Sequence, residues 1–78
     1  MEHPVRMPKL SLTMEEGEVL EWHVAVGGQV AEEGDLVTVA AEKADVVIPS
    51  PYTGRVTAIQ AAPGDVVVVG EIICTVED

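Results

Sequence analysis

Short apolar runs separated by turn residues recur along the whole chain, and this pattern predicts an all-β fold. Valine, isoleucine and threonine dominate the runs, and glycine, proline and aspartate stand between them. No stretch of useful length has the apolar period of a helix. The strands expected in the first part of the chain are residues 5–7, 18–26, 30–31, 36–41 and 46–48.

The second of these strands alternates imperfectly. Leu20, Trp22 and Val24 share one face, whereas Val19 falls on the other. A β-bulge adds one residue and so moves the following side chains to the opposite face. We therefore expect a bulge within this strand.

The chain repeats itself at an offset of 37 residues without a gap. Each half is too small to bury a core alone, so the repeat predicts two sheets packed face to face and related by a pseudo-twofold axis. The superposed pairs are Gly17 with Gly54, Val19 with Val56, Trp22 with Ile59, Gly27 with Gly64, Val30 with Val67, Leu36 with Ile73, Thr38 with Thr75, and Val39 with Val76.

The same offset makes a prediction for the valine run at 66–69. Val66 and Val69 superpose on Gln29 and Glu32, so both should face solvent, while Val67 should face the core. The run is then an exposed apolar strip that a partner can contact.

Residues 41–45 should form a hairpin turn with Lys43 at its tip. Lys43 is one of two lysines in the chain, and its neighbours Glu42 and Asp45 favour the protonated ammonium. A nucleophilic lysine needs the opposite environment. The residues therefore indicate an amine that another enzyme acylates, although an ordinary exposed lysine in a turn stays open as an alternative.

Length, charge and cysteine content exclude several classes of protein. The chain has 78 residues, which we assign to a tail at 1–4 and one domain at 5–78, expected to be monomeric in isolation. A net charge of −10 opposes binding to nucleic acid or anionic membranes. The lone Cys74 forms no intrachain disulfide, and no Cys and His cluster has the spacing of metal ligands. Without a secretory signal or membrane-length apolar stretch, a soluble cytoplasmic protein is expected.

Several motifs resemble those of one known family. They are MPKL at 7–10, MEEG at 14–17, Trp22, the turn at 27–30, EKA at 42–44, PSP at 49–51, Gly54 and PGD at 63–65. On these residues, the chain from Val5 to Val76 resembles a lipoyl domain of the biotinyl/lipoyl attachment family, as found in the acyltransferase component of 2-oxo acid dehydrogenase complexes. The resemblance implies a flattened barrel of two four-stranded antiparallel sheets, with lipoate amide-linked to Lys43.

The resemblance also implies a non-catalytic carrier with a set of partner enzymes. A lipoate-modifying enzyme would load Lys43. The swinging arm would then serve a 2-oxo acid decarboxylase, the acyltransferase core and a dihydrolipoyl dehydrogenase. The loop between the first two strands would help the decarboxylase to recognise the domain, and its residues here are Ser11, Leu12, Thr13, Met14 and Glu15.

Two alternatives follow from the residues around Lys43. Biotin-carrying relatives flank the lysine with methionines, whereas Glu42 and Ala44 stand here and favour lipoate over a biotin carboxyl carrier. The family usually has Glu-Thr-Asp before the lysine, and this chain has Ala40-Ala41-Glu42. The lost acidic residue keeps open an unmodified adaptor of the same fold.

Overall fold

A computed structural model describes residues 1–10, 12–41 and 44–78. Ser11, Glu42 and Lys43 lie outside the described residues. The described chain forms eight strands: β1 (Glu2–Arg6), β2 (Glu16–Trp22), β3 (Gln29–Val30), β4 (Asp35–Ala40), β5 (Asp45–Pro49), β6 (Gly54–Ile59), β7 (Val66–Val68) and β8 (Ile72–Glu77). Over the same ranges there is no helix long and apolar enough to cross a bilayer.

The strands form two four-stranded antiparallel sheets, which confirms the predicted fold class. The strand order is β1-β8-β6-β3 in one sheet and β5-β4-β2-β7 in the other. The sheets remain open, so the molecule is a sandwich rather than a closed barrel. The side chains between them are mostly valine, and the fully enclosed ones include Val19, Leu36, Val39, Val56, Ile73 and Val76.

The pairing registers confirm the internal repeat. In the β2–β4 pair, Val19 lies opposite Val39 and the register shifts before Glu21. In the β6–β8 pair, Val56 lies opposite Val76 and the register shifts before Ala58. Every one of these positions is 37 residues from its mate. The bulge predicted in the second strand is therefore present, and it occurs once in each half.

The two glycine turns obey the same symmetry. Gly27 and Gly64 have φ angles of 89° and 95°, values that favour glycine because it has no Cβ. The N–H of Gly27 donates to the carbonyl of Val56, and that of Gly64 donates to the carbonyl of Val19, each at 2.7 Å. Each turn is thus fastened to a strand of the other half. In the turn at 62–65, the positive φ of Gly64 is the one expected at the third position of a type II turn.

The first strand begins earlier than the sequence predicted. It runs over Glu2–Arg6 and pairs with β8 along its length, so residues 2–4 belong to the sheet and not to a tail. The ring of His3 stacks on Tyr52 with centroids 4.3 Å apart. Its Nε2 lies 2.9 Å from Oδ2 of Asp78. The prediction for this strand was wrong because pairing with β8, which is distant in the sequence, overrides weak local β propensity.

The second strand ends at Trp22 and not at residue 26. Past the bulge, Trp22 and Val24 pack partly against the core, while Leu20 is exposed. The indole N–H of Trp22 donates to the carbonyl of Ala61 at 2.7 Å. This bond ties the end of β2 to the segment that follows β6.

The valine run at 66–69 follows the prediction at two positions and departs from it at one. Val66 is 58% exposed and Val67 is 6% exposed, as expected. Val69 packs against the core, so its predicted exposure was wrong. The N–H of Val69 donates to the carbonyl of Glu15, and the two-residue strand alternation therefore continues through it. Val68 takes the exposed position, with 49% of its surface accessible.

Candidate functional site

The hairpin between β4 and β5 is held by a regular ladder up to the predicted attachment point. Val39 pairs with Val46, and Ala40 pairs with Asp45. Beyond them, the N–H of Ala41 donates to the carbonyl of Ala44 at 2.9 Å. Because Val39 is fully buried, the core anchors this end of the ladder.

Two of the predicted site residues, Glu42 and Lys43, connect Ala41 to Ala44 in the sequence. They lie outside the described residues, so the role assigned to each of them stays a prediction. Of their neighbours, Ala44 and Asp45 are exposed and Ala41 is half-buried. The described part of the hairpin is therefore open to an approaching enzyme.

The predicted recognition loop divides into an exposed part and a buried anchor. Leu12 is 93% exposed, and Thr13 and Glu15 are also exposed. Met14 is buried, and its Sδ accepts a hydrogen bond from the N–H of Leu10 at 3.3 Å. Met14 thus anchors the loop to the core, while Thr13 and Glu15 on either side of it are exposed to solvent. Ser11 lies outside the described residues.

The loop and the hairpin meet over one open depression of about 400 Å³. Thr13, Met14, Glu15, Glu16, Gly17, Glu18, Ala40, Ala41 and Val66 line it. In the ladder, Glu18 lies opposite Ala40, and Asp45 lies opposite Ala40 from the other side. Ala40 itself carries no charge, yet it is flanked by an acidic side chain on each neighbouring strand.

Gly17 allows the loop to lie close to the hairpin. A Cβ at this position would come within 2.7 Å of Val39 Cγ1 and 2.8 Å of Met14 Cε. Real Cβ atoms avoid such distances, so a larger residue would push Met14 away from β4. The glycine is therefore what lets the loop anchor pack beside the ladder of the hairpin.

Sequence reasoning named the hairpin, the loop and the exposed Val66, but it did not predict that Val66 and Glu18 both line the depression. Glu18 pairs with Val66 on one side and with Ala40 on the other. The repeat placed Val66 on the surface, but it gave no neighbour for it. Strand order in the second sheet was the missing signal.

Within residues 1–10, 12–41 and 44–78, the other reactive side chains do not form a second centre. Cys74 is fully buried, and desolvation raises the pKa of its thiol to about 11, so it stays protonated near neutral pH. Among the described residues, no group of three or more His, Cys, Asp and Glu side chains is placed to hold a metal ion.

Comparison with known proteins assigns the chain to a family. The model of the Biotin_lipoyl family, described as "Biotin-requiring enzyme", matches residues 3–76. The chain therefore belongs to this family of biotin and lipoyl domains, which confirms the resemblance seen in the sequence.

Among individual proteins, the chain is similar to the lipoamide acyltransferase component of the branched-chain alpha-keto acid dehydrogenase complex of Pseudomonas aeruginosa. The two are 44% identical over 68 residues, which is 87% of this chain and 16% of that protein. The chain thus spans about a sixth of the length of this curated relative.

Two solved structures share the fold. One is the solution structure of the lipoyl domain of the Azotobacter vinelandii 2-oxoglutarate dehydrogenase complex, with a TM-score of 0.78, 21% identity, and coverage of 96% of this chain and 95% of that one. The other is a single-chain, multi-domain long-chain acyl-CoA carboxylase, with a TM-score of 0.79, 24% identity, and coverage of 95% and 7%. At these identities both likenesses concern the fold alone.

Proposed function

We propose that the chain is a lipoyl carrier domain, which bears lipoate in amide linkage on Lys43 and performs no catalysis by itself. The observation that carries the proposal is the hairpin of β4 and β5, closed by the Ala41–Ala44 hydrogen bond on either side of Lys43 in the sequence. The 44% identity to a lipoamide acyltransferase component supports lipoate as the group.

The residues of the hairpin fit a covalently attached group. Ala41 and Ala44 are small, and Ala44 and Asp45 are exposed, so the flanks leave room for an enzyme to reach the lysine. The amine of Lys43 supplies the nitrogen of the amide. When bound, lipoate supplies a dithiolane that takes up an acyl group together with two electrons.

The chain itself contributes position and charge. Glu18 and Asp45 flank Ala40 in the ladder. In the sequence, Asp45 lies two residues from Lys43, and its negative charge favours the protonated ammonium. The attaching enzyme must therefore remove that proton. The ladder fixes the base of the arm, and tethering raises the local concentration of the carried group at each partner active site.

The partners follow from the same proposal. They are a lipoate-attaching enzyme, a 2-oxo acid decarboxylase, an acyltransferase core and a dihydrolipoyl dehydrogenase. The name of the Pseudomonas aeruginosa relative supports a complex of this kind. We further propose a cytoplasmic location and a monomeric state for the isolated domain.

Intact-mass measurement tests the proposal. Wild type, Lys43→Arg and Lys9→Arg are incubated with a lipoate-attaching enzyme and, in parallel, with a biotin ligase. Arginine keeps the charge but forms no amide. We expect a lipoyl mass increase in wild type and in Lys9→Arg and none in Lys43→Arg. Lys9 is the matched control because it is exposed and lies in the described part of the chain.

The other outcomes separate the alternatives. Lipoylation of Lys43→Arg would move the attachment site away from the hairpin. Uptake of biotin alone would replace the carried group and favour a biotin carboxyl carrier, as the family description allows. A wild-type chain modified by neither enzyme would favour an unmodified adaptor.

A further inference from the structure

The pseudo-twofold axis gives the molecule two equivalent surfaces with different side chains. The hairpin surface consists of Glu16, Glu18, Val66 and Val68. Its equivalent, 37 residues away at each position, is the control surface of Thr53, Arg55, Gln29 and Ala31. Glu18 pairs with Val66 on the first surface, and Arg55 pairs with Gln29 on the second. The backbone pairing at these two pairs is equivalent, whereas the side chains differ.

The exposed valines of the hairpin surface are not required by the fold. Val66 and Val68 are 58% and 49% exposed and lie on the edge strand β7. Gln29 and Ala31 occupy the equivalent positions in the other half and are both exposed. The same backbone is therefore compatible with a polar or a smaller side chain at these positions. Their apolar surface faces outward, where it contributes little to the core.

The hairpin surface continues into the attachment hairpin. Cross-strand pairing forms one row of neighbouring residues from β7 through β2 and β4 to β5. In this order the row consists of Val66, Glu18, Ala40 and Asp45. Directly opposed residues of a sheet share a face. One row of side chains thus joins the exposed valine to the strand that leaves the hairpin.

We propose that the hairpin surface is the docking surface for the enzyme that attaches the group to Lys43, and that this enzyme presents an apolar patch bordered by basic side chains. The inference rests on the proposed function. In the described part of the chain, the charged residues lining the depression beside it are Glu15, Glu16 and Glu18, all acidic. An acidic border around exposed valines is complementary to a basic border around an apolar patch.

The attaching enzyme is the occupant because it acts before the arm exists. A bare lysine side chain is short, so its amine enters an active site only when the hairpin itself is brought against the enzyme. The surface next to the hairpin is then buried in that complex. Enzymes that act later reach the carried group at the end of a longer arm, and they need less of this surface.

The control surface supplies substitutions that the fold already accepts. The double variant Val66→Gln, Val68→Ala places the side chains of Gln29 and Ala31 on the hairpin surface. The variant Glu18→Arg places the charge of Arg55 there. Val26→Gln is the control for lost apolar surface, since Val26 is also 58% exposed and does not line the depression. Glu32→Arg is the control for charge reversal, since Glu32 is exposed and does not line the depression.

The measurement is the rate of lipoylation by intact mass at increasing concentrations of the 78-residue chain, with a melting curve for each variant. We expect the KM for the Val66→Gln, Val68→Ala chain to rise about tenfold, as for the loss of a central interface contact. For Glu18→Arg we expect a rise of similar size that shrinks at high salt. The kcat and the melting temperature should stay unchanged, and both controls should behave as wild type.

Each outcome decides something. Equal KM values for wild type and the valine variant, with wild type modified, overturn the docking surface and leave the proposed function standing. A wild-type chain that stays unmodified overturns the proposed function and the docking surface with it. If the valine variant melts early, Val66→Thr, which keeps the shape of the side chain, replaces it and must raise the KM for the inference to stand.

Discussion

Glu33 and Gly70 occupy the same position in the two halves of the fold, and both have a left-handed backbone, with φ angles of 69° and 95°. The N–H of Glu33 donates to the carbonyl of Ser50, and the N–H of Gly70 donates to the carbonyl of Met7. The turn imposes the same conformation in both halves. One half has glycine at this position, whereas the other has Glu33, for which a left-handed backbone is strained.

This relationship predicts opposite effects of two substitutions. Glu33→Gly should raise the free energy of unfolding by up to about 1 kcal/mol, because relief of strain exceeds the greater chain entropy of glycine. Gly70→Ala should lower it by about 1–2 kcal/mol. Urea unfolding measures both. Glu32→Gly is the control, since Glu32 has no left-handed backbone, and it should be destabilising. A lower free energy of unfolding for Glu33→Gly than for wild type would contradict the inferred backbone strain.

Gly17 and Gly54 occupy equivalent positions in the two halves, but they should differ in how well they tolerate replacement by alanine. At Gly54 a Cβ would collide with the backbone carbonyl oxygen of Glu77, whereas at Gly17 it meets the side chains of Val39 and Met14. Side chains can move aside, but a ladder carbonyl cannot move without breaking its strand pairing. We expect Gly17→Ala to cost about 1–3 kcal/mol, the usual range for overpacking.

Gly54→Ala should cost more than Gly17→Ala in the same urea titration. A second readout separates the two positions. Gly17→Ala displaces the anchor of the recognition loop and should lower the kcat/KM of a cognate decarboxylase for the lipoylated chain. Gly54→Ala, measured at a temperature where it is folded, should not. Equal stability of the two variants would contradict the packing argument.

The buried thiol predicts a loss of stability in alkali. The pKa of Cys74 is raised by desolvation from 9.0 to about 11 in the folded protein. A raised folded pKa gives stability that is complete below pH 9 and is lost as the pH rises to about 11, by up to about 3 kcal/mol. Its equivalent in the other half is Val37, also fully buried, so Cys74→Val should fold.

The test follows the melting temperature of wild type and Cys74→Val from pH 8 to pH 11. Other groups titrate in this range in both proteins, so the difference between the two curves isolates the thiol. Wild type should lose more stability than the variant. If the melting temperatures of the two proteins fall in parallel over the whole pH range, the thiol does not contribute to the loss of stability in alkali.

The acidic surface predicts association that depends on salt. A net charge of −10 on so small a domain should steer it onto basic entrances of its partner enzymes. The apparent kcat/KM of a cognate decarboxylase for the lipoylated chain should fall as sodium chloride rises, because salt screens exposed charges. A neutral osmolyte at matched osmolality serves as the control. A flat profile would leave solubility as the reason for the charge.

The sequence by itself determined the all-β class, the two equivalent halves, the bulge and the hairpin between β4 and β5. These features depend on patterns local to the chain: the spacing of valines, the placement of glycines and a short turn between two apolar runs. The repeat also carried information over a distance, since it predicted that Val67 is buried like Val30.

Only the tertiary structure decided which strands lie side by side. Residues 2–4 are a strand because β8 pairs with them, and Val69 is partly buried where its N–H extends the pairing of β7 to Glu15. Likewise, Glu18 lies beside Ala40 through long-range pairing. A strand alternates its faces locally, but its neighbours are chosen by the packing of the whole chain, and the surface around the hairpin is made of such neighbours.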